Sequence, residues 1–126
     1  MAGQMSTDMK RAIDQCEAAA QMCEQMLPRC MEVGGEQMMR AGAKLMSCMD
    51  MCHVAANMMT RCAGSKASTE MPNMCMRSLE LCADMCDLCA RTSRSVEGAE
   101  WAECADVMAR CAEACRQMGP QVMQPA

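Results

Sequence analysis

Apolar and polar positions recur along this chain with a helical period, and alternation at every second residue is absent throughout. Four stretches carry the pattern, roughly 7–33, 36–63, 69–92 and 96–118. The second shows it most fully. Met38, Ala41, Leu45, Cys48, Cys52, Ala55, Met59 and Cys62 make one apolar seam, and Arg40, Lys44, Ser47, Asp50, Asn57 and Arg61 form a narrow polar face. Breakers fall between the stretches. Gly34-Gly35 ends the first, Gly64-Ser65 ends the second with Ser68 or Thr69 as an N-cap for the third, Ser93 to Ser95 divides the last two, and Gly119-Pro120 and Pro125 stop the fourth. Pro72 falls in a first turn, where its missing N–H costs little. Pro28 fits less well: inside a regular helix it would lose the bond to the carbonyl of Glu24, at about 3 kcal/mol. The spacing therefore predicts either a kink there or a helix that stops near Met26, leaving Cys30 in a separate turn. Connections this short favour antiparallel neighbours, so residues 1–126 are read as a single all-α domain, an up-down-up-down four-helix bundle.

The core needs unusual material. Among 126 residues there is no Phe or Tyr, a single Trp (Trp101), five Leu, five Val and one Ile, too few to fold on ordinary composition rules. Thirteen Cys and twenty Met make up the deficit, since both behave as polarisable apolar groups in an interior. Their placement carries the argument. Cys16, Cys23 and Cys30 lie on the first stretch, Cys48, Cys52 and Cys62 on the second, Cys75, Cys82, Cys86 and Cys89 on the third, and Cys104, Cys111 and Cys115 on the fourth. Steps of three, four and seven hold a helix face, so each helix presents a cysteine stripe on its core side. At about 1.5 Å per residue the first three stripes each span about 21 Å and the fourth about 16 Å. In alternating helices Cys16, Cys62, Cys75 and Cys115 gather at one end and Cys30, Cys48, Cys89 and Cys104 at the other, giving a tube of thiols.

One or two buried cysteines would need no explanation beyond packing. Thirteen, all on core stripes and none on a loop, point to ligation. A disulfide scaffold fits poorly with the odd count, the helical background and the absence of an export signal. Residues seven apart on one helix are also ~10 Å apart along its axis, beyond disulfide reach, although bridges between helices are geometrically open.

Soft thiolate and thioether ligands select copper(I), zinc or iron–sulfur clusters. Zinc and iron–sulfur sites expect clustered ligands on turns, and Cys86 to Cys89, the one pair at that spacing, lies within a helix. Staggered thiols suit copper(I), which takes two sulfurs and shares them with its neighbours. One ion per thiolate cancels the buried charge and predicts a capacity of about thirteen.

Net charge is −4 with both signs interspersed, so no basic patch or aromatic platform marks a nucleic-acid partner. No run reaches the ~18 apolar residues of a membrane span, and the start MAGQMSTDMKRAIDQ lacks a secretory core, so a cytoplasmic location is expected. No nucleophile–base pair, phosphate loop or paired-carboxylate site is visible, and no enzymatic activity is expected.

The motifs CAEAC at Cys111 to Cys115, CADMCDLC at Cys82 to Cys89 and SCMDMC ending at Cys52 resemble those of the Cys-rich four-helix-bundle copper storage proteins of bacteria, from about Cys16 to Met118. The resemblance implies copper(I) bound along the bundle core by the thirteen cysteines, a homotetramer, and cytoplasmic members among those without a signal peptide. It also implies that copper is admitted at one bundle end through Met and His ligands. Met31, Met38 and Met39 mark a candidate mouth, and Met9, Met71, Met74 and Met118 mark a rival one at the opposite end. His53, the sole histidine, is rotated off the core stripe and reads first as a solvated or interface residue, second as an auxiliary ligand. Trp101, one turn before Cys104, reads as a plug for the bundle end. Met39 and Met46 flank one side of the second stretch's polar face, and Met51, Val54 and Met58 the other, which predicts burial between subunits. The expected partners are thus copper ions, further copies of the chain and a copper chaperone or acceptor protein. Two other functions remain open: a sink for silver, mercury or zinc, or a thiol–disulfide redox protein using Cys86 and Cys89.

Overall fold

The computed structural model describes residues 6–64 and 70–123. It holds four α-helices: α1 (Thr7–Val33), α2 (Glu36–Gly64), α3 (Glu70–Arg94) and α4 (Ala99–Val122), with no strand among the described residues. Each packs on two neighbours, α1 on α2 and α4, and α3 on the same two, so the helices enclose one interior. The contacts of α2 and α3 run in opposite numerical senses, Cys48 meeting Cys86 while Cys52 meets Cys82.

Local chemistry sets the helix ends. Ser6 caps α1, its Oγ accepting from the Met9 N–H at 3.0 Å. At the other end the Gly34 N–H donates to the Cys30 carbonyl at 2.9 Å, and the chain turns through Gly34 (φ +71°) and Gly35 (φ +92°), a region unfavourable to residues with a Cβ. The Gly35 carbonyl then accepts the Met39 N–H and starts α2. Pro28 does not end α1, which runs unbroken to Val33 with Cys30 inside it. Pro28 itself faces solvent, and α1 continues past it to carry Cys30.

Two expected boundaries move. The break placed at Ser93 to Ser95 lies further on, because Ser93 is buried and belongs to α3, and the Ser95 and Val96 N–H groups turn back to Arg91, Thr92 and Ser93 carbonyls. α4 consequently starts at Ala99 rather than Val96, after Gly98 at φ +129°. Nor does Gly119-Pro120 stop α4, which continues to Val122. Met118, Gly119 and Val122 are buried, whereas Pro120 faces solvent; burial of that last turn outweighs one missing backbone bond. Pro72 sits in the first turn of α3 as expected. Ser65, Ser68, Thr69 and Pro125 lie outside the described residues.

The interior is sulfur and small side chains. Twelve of the cysteines are buried and Cys62 is partly so. Ala19, Ala55, Ala83 and Ala112 are nearly inaccessible beside them and let the helices approach closely. On the outside Arg29 pairs with Glu100 across α1 and α4, and Arg116 of α4 holds both Asp84 (3.1 Å) and Asp87 (2.6 Å) of α3. Such exposed pairs add little stability but help fix how the helices face each other.

Candidate metal centre

The helical repeat that builds the core also delivers the thiols. Cys82 and Cys86, one turn apart on α3, meet Cys52 from α2 at 3.8 Å in each case, and Cys86 meets Cys48 at 3.6 Å. Across the bundle, Cys16 of α1 lies 3.6 Å from Cys115 and 3.8 Å from Cys111 of α4. These separations are far beyond the ~2.05 Å of a disulfide, and every cysteine is free.

Three groups have sulfurs mutually within 4.8 Å: Cys16, Cys82, Cys111 and Cys115; Cys52, Cys82, Cys86 and Cys111; and Cys23, Cys48 and Cys89. The first two share Cys82 and Cys111, and Cys48 leads from the second to the third through its contact with Cys86. At each end the chain of thiols continues, Cys75 lying near Cys62 and Cys115, and Cys30 and Cys89 near Cys104. A sulfur–ion distance of about 2.3 Å allows one ion to touch two sulfurs up to about 4.6 Å apart, so these gaps suit ions bridging neighbouring thiolates.

The proton inventory of the lattice is uneven. Desolvation pushes the Cys75 thiol up to about 12 and also raises Cys30. Cys16 and Cys86 are raised, each first by its hydrogen bond with Cys111, and Cys89 by its bond with Cys104. Cys82 moves the other way, lowered first by its hydrogen bond with Cys111 and then by those with Cys115, Cys16 and Cys52. Cys48 is lowered by Cys23 and further thiols around it, and Cys104 by Cys89 and by Ser93. Shared hydrogen bonds thus pull neighbouring thiols in opposite directions, so their protons are held unevenly along the lattice.

The sequence-derived accessory residues are scattered. Met38 is buried, whereas Met31 and Met39 are exposed by 84% and 74%, so the three do not form one lining. Of the rival set, Met9 and Met118 are buried, Met71 is partly buried and Met74 is exposed. His53 is exposed although its neighbour Cys52 is inaccessible. Trp101 is buried, with its ring edge against Gly98, on the same helix as Cys104. Cys86 and Cys89 are both buried, and the sulfurs closest to Cys86 belong to α2, which leaves no exposed dithiol for exchange with other proteins. Two polar details escaped the sequence. The Ser93 hydroxyl donates to Cys104 Sγ at 3.5 Å, and the Cys48 thiol donates to Met108 Sδ at 3.5 Å.

Among the described residues no helix is long and apolar enough to cross a membrane. A family model described as copper storage protein matches residues 5–120. The crystal structure of Nmul_A1745 protein from Nitrosospira multiformis is similar to this fold, with a TM-score of 0.76 and 27% identity, over 93% of this chain and 99% of that one. No curated protein matches the sequence.

Proposed function

Because the chain belongs to the copper storage protein family, we propose that it holds many copper(I) ions on the thiolates of its core, acting as a store or buffer rather than as an enzyme. The observation that carries this reading is the run of buried thiols in three groups, each within 4.8 Å, two sharing members and the third joined to them by the Cys48–Cys86 contact. In such a core, charge decides which ion suits. Each copper(I) that binds displaces one thiol proton, so positive charge is exchanged one for one and the interior stays neutral at every stage of filling. A divalent ion on four thiolates would leave net negative charge in a dry interior. Sharing of Cys82 and Cys111 between groups lets an ion pass from one set of sulfurs to the next without leaving the core. Release would reverse this exchange toward an acceptor protein with competing thiols.

The exposed Met39, Met46 and Val54 of α2 support association with further copies of the chain, a homotetramer by family resemblance, and thirteen free thiols suit the reducing cytoplasm. The test is an anaerobic titration of the fully reduced protein with copper(I) against a strong chelator. About thirteen ions should bind tightly, one for each cysteine. Uptake of only one to three would reject storage, and silver, mercury or zinc retained in preference to copper(I) would assign the same thiols to another soft metal.

A further inference from the structure

The four core stripes are not made of cysteine alone. On α4 the sequence runs Cys104, Met108, Cys111, Cys115, at steps of four, three and four, so Met108 occupies a thiol position in the register. It is completely buried. Met59 is buried as fully and Met26 almost so, but among the described residues Met108 is the methionine whose sulfur is hydrogen-bonded to a core thiol, 3.5 Å from Cys48. Cys48 belongs to the third sulfur group, Cys23, Cys48 and Cys89, which has three thiols where the other two groups each have four.

We propose that Met108 Sδ is a metal ligand in the interior of the bundle, a fourth sulfur beside the three-thiol group of Cys23, Cys48 and Cys89. The inference rests on the storage reading above and refines it. The 3.5 Å gap between Met108 and Cys48 is as short as the gaps between neighbouring thiols and fits two sulfurs on one soft ion. A thioether adds a donor without adding charge. Three thiolates with three copper(I) ions are already neutral, and a fourth thiolate would call for another ion, whereas Met108 adds a sulfur donor and leaves the count unchanged. Thioether binding is also weaker than thiolate binding. The Cys23–Cys48–Cys89 segment would then hold its ions less tightly than the all-thiol segment around Cys82 and Cys111, and would exchange them first.

The test uses the reduced full-length protein, copper(I) and a competing chelator, with Met108→Leu and Met59→Leu compared. Both substitutions keep shape and volume closely enough for the bundle to fold. Met59 is the control, being equally buried but with no hydrogen bond between its sulfur and a thiol among the described residues. Met108→Leu should keep a capacity of about thirteen ions. It should surrender a subset of about three, one per thiolate of the Cys23, Cys48 and Cys89 group, at roughly tenfold lower chelator. Met59→Leu should match wild type. In parallel, the methionine methyl carbon signal that disappears in Met108→Leu should shift in wild type as copper binds. Superimposable retention curves for Met108→Leu and wild type, or equal weakening by both substitutions, would overturn ligation by Met108. If wild type itself takes up only one to three ions, it is the storage reading that fails.

Discussion

Gly42 and Cys30 show that the α1–α2 contact beside the sulfur core has room for one more carbon. Gly42 is buried in the interior of α2, and a Cβ built there would lie 3.7 Å from Cys30 Cβ and 4.0 Å from its Sγ, ordinary contact distances. Gly42→Ala should therefore fit without displacing Cys30, and relief of the glycine's helix penalty should stabilise the metal-free protein by about 0.5–1 kcal/mol. Urea unfolding of the reduced protein checks this; destabilisation would mean that α1 and α2 cannot tolerate an added methyl. At this scale the sequence was legible where a residue type repeats. Every cysteine could be assigned to the interior from spacing, and the structure buries twelve with the thirteenth half-covered. Single residues were not legible. Ser93 looked like a loop serine, and Met108 like one packing methionine among twenty, because whether a polar atom meets a thiol depends on helix–helix register, which no local pattern encodes. His53 next to Cys52, by contrast, faces solvent, as its angle on the helix required.

Among elements, helix existence was easier to read than helix ends. The 3.6-residue period located all four helices, and Gly34-Gly35 marked the first turn because both residues adopt positive φ. The proline signals were overridden twice. Pro28 and Pro120 both lie inside helices and both face solvent, while the residues that follow them, Cys30 and Val122, are buried and hold the helix in place. Propensity is a local quantity, and the last turn of each helix was decided by tertiary burial instead. Each proline lacks the N–H that a regular helix would direct to the carbonyl four residues back. Pro28→Ala restores a donor to the carbonyl of Glu24, and Pro120→Ala to that of Arg116. Each should raise the unfolding free energy by roughly 1–3 kcal/mol, measured by denaturant on the metal-free protein, without altering copper capacity. No gain in either would mean that the helices are bent around these residues in a way their neighbours require.

For the whole molecule, storage links filling to pH and stability. In the metal-free fold, burial holds the Cys75 thiol up to about 12, and Cys16, Cys30, Cys86, Cys89 and Cys111 are likewise raised. An unfolded cysteine ionises near 8.5. Between about pH 9 and pH 12 the unfolded chain has therefore released protons that the folded one retains. Stability contributed by these raised groups is complete below the unfolded value and falls as pH climbs toward the folded values. The lowered groups Cys48, Cys82 and Cys104 act in the opposite sense, but their contribution is already complete above the unfolded value and does not offset the alkaline loss. Each raised thiol steepens that loss by about 1.4 kcal/mol per pH unit between its two values. The metal-free, reduced protein should accordingly unfold at much lower denaturant at pH 11 than at pH 9. Copper removes the dependence: a thiolate already bound to a metal has no proton to lose, and the loaded protein should show nearly the same midpoint at both pH values. Circular dichroism at the two pH values, with and without copper(I), tests this under anaerobic conditions. A metal-free protein equally stable at both would show that its core thiols are not held protonated, and the one-for-one exchange of copper for protons would lose its physical basis.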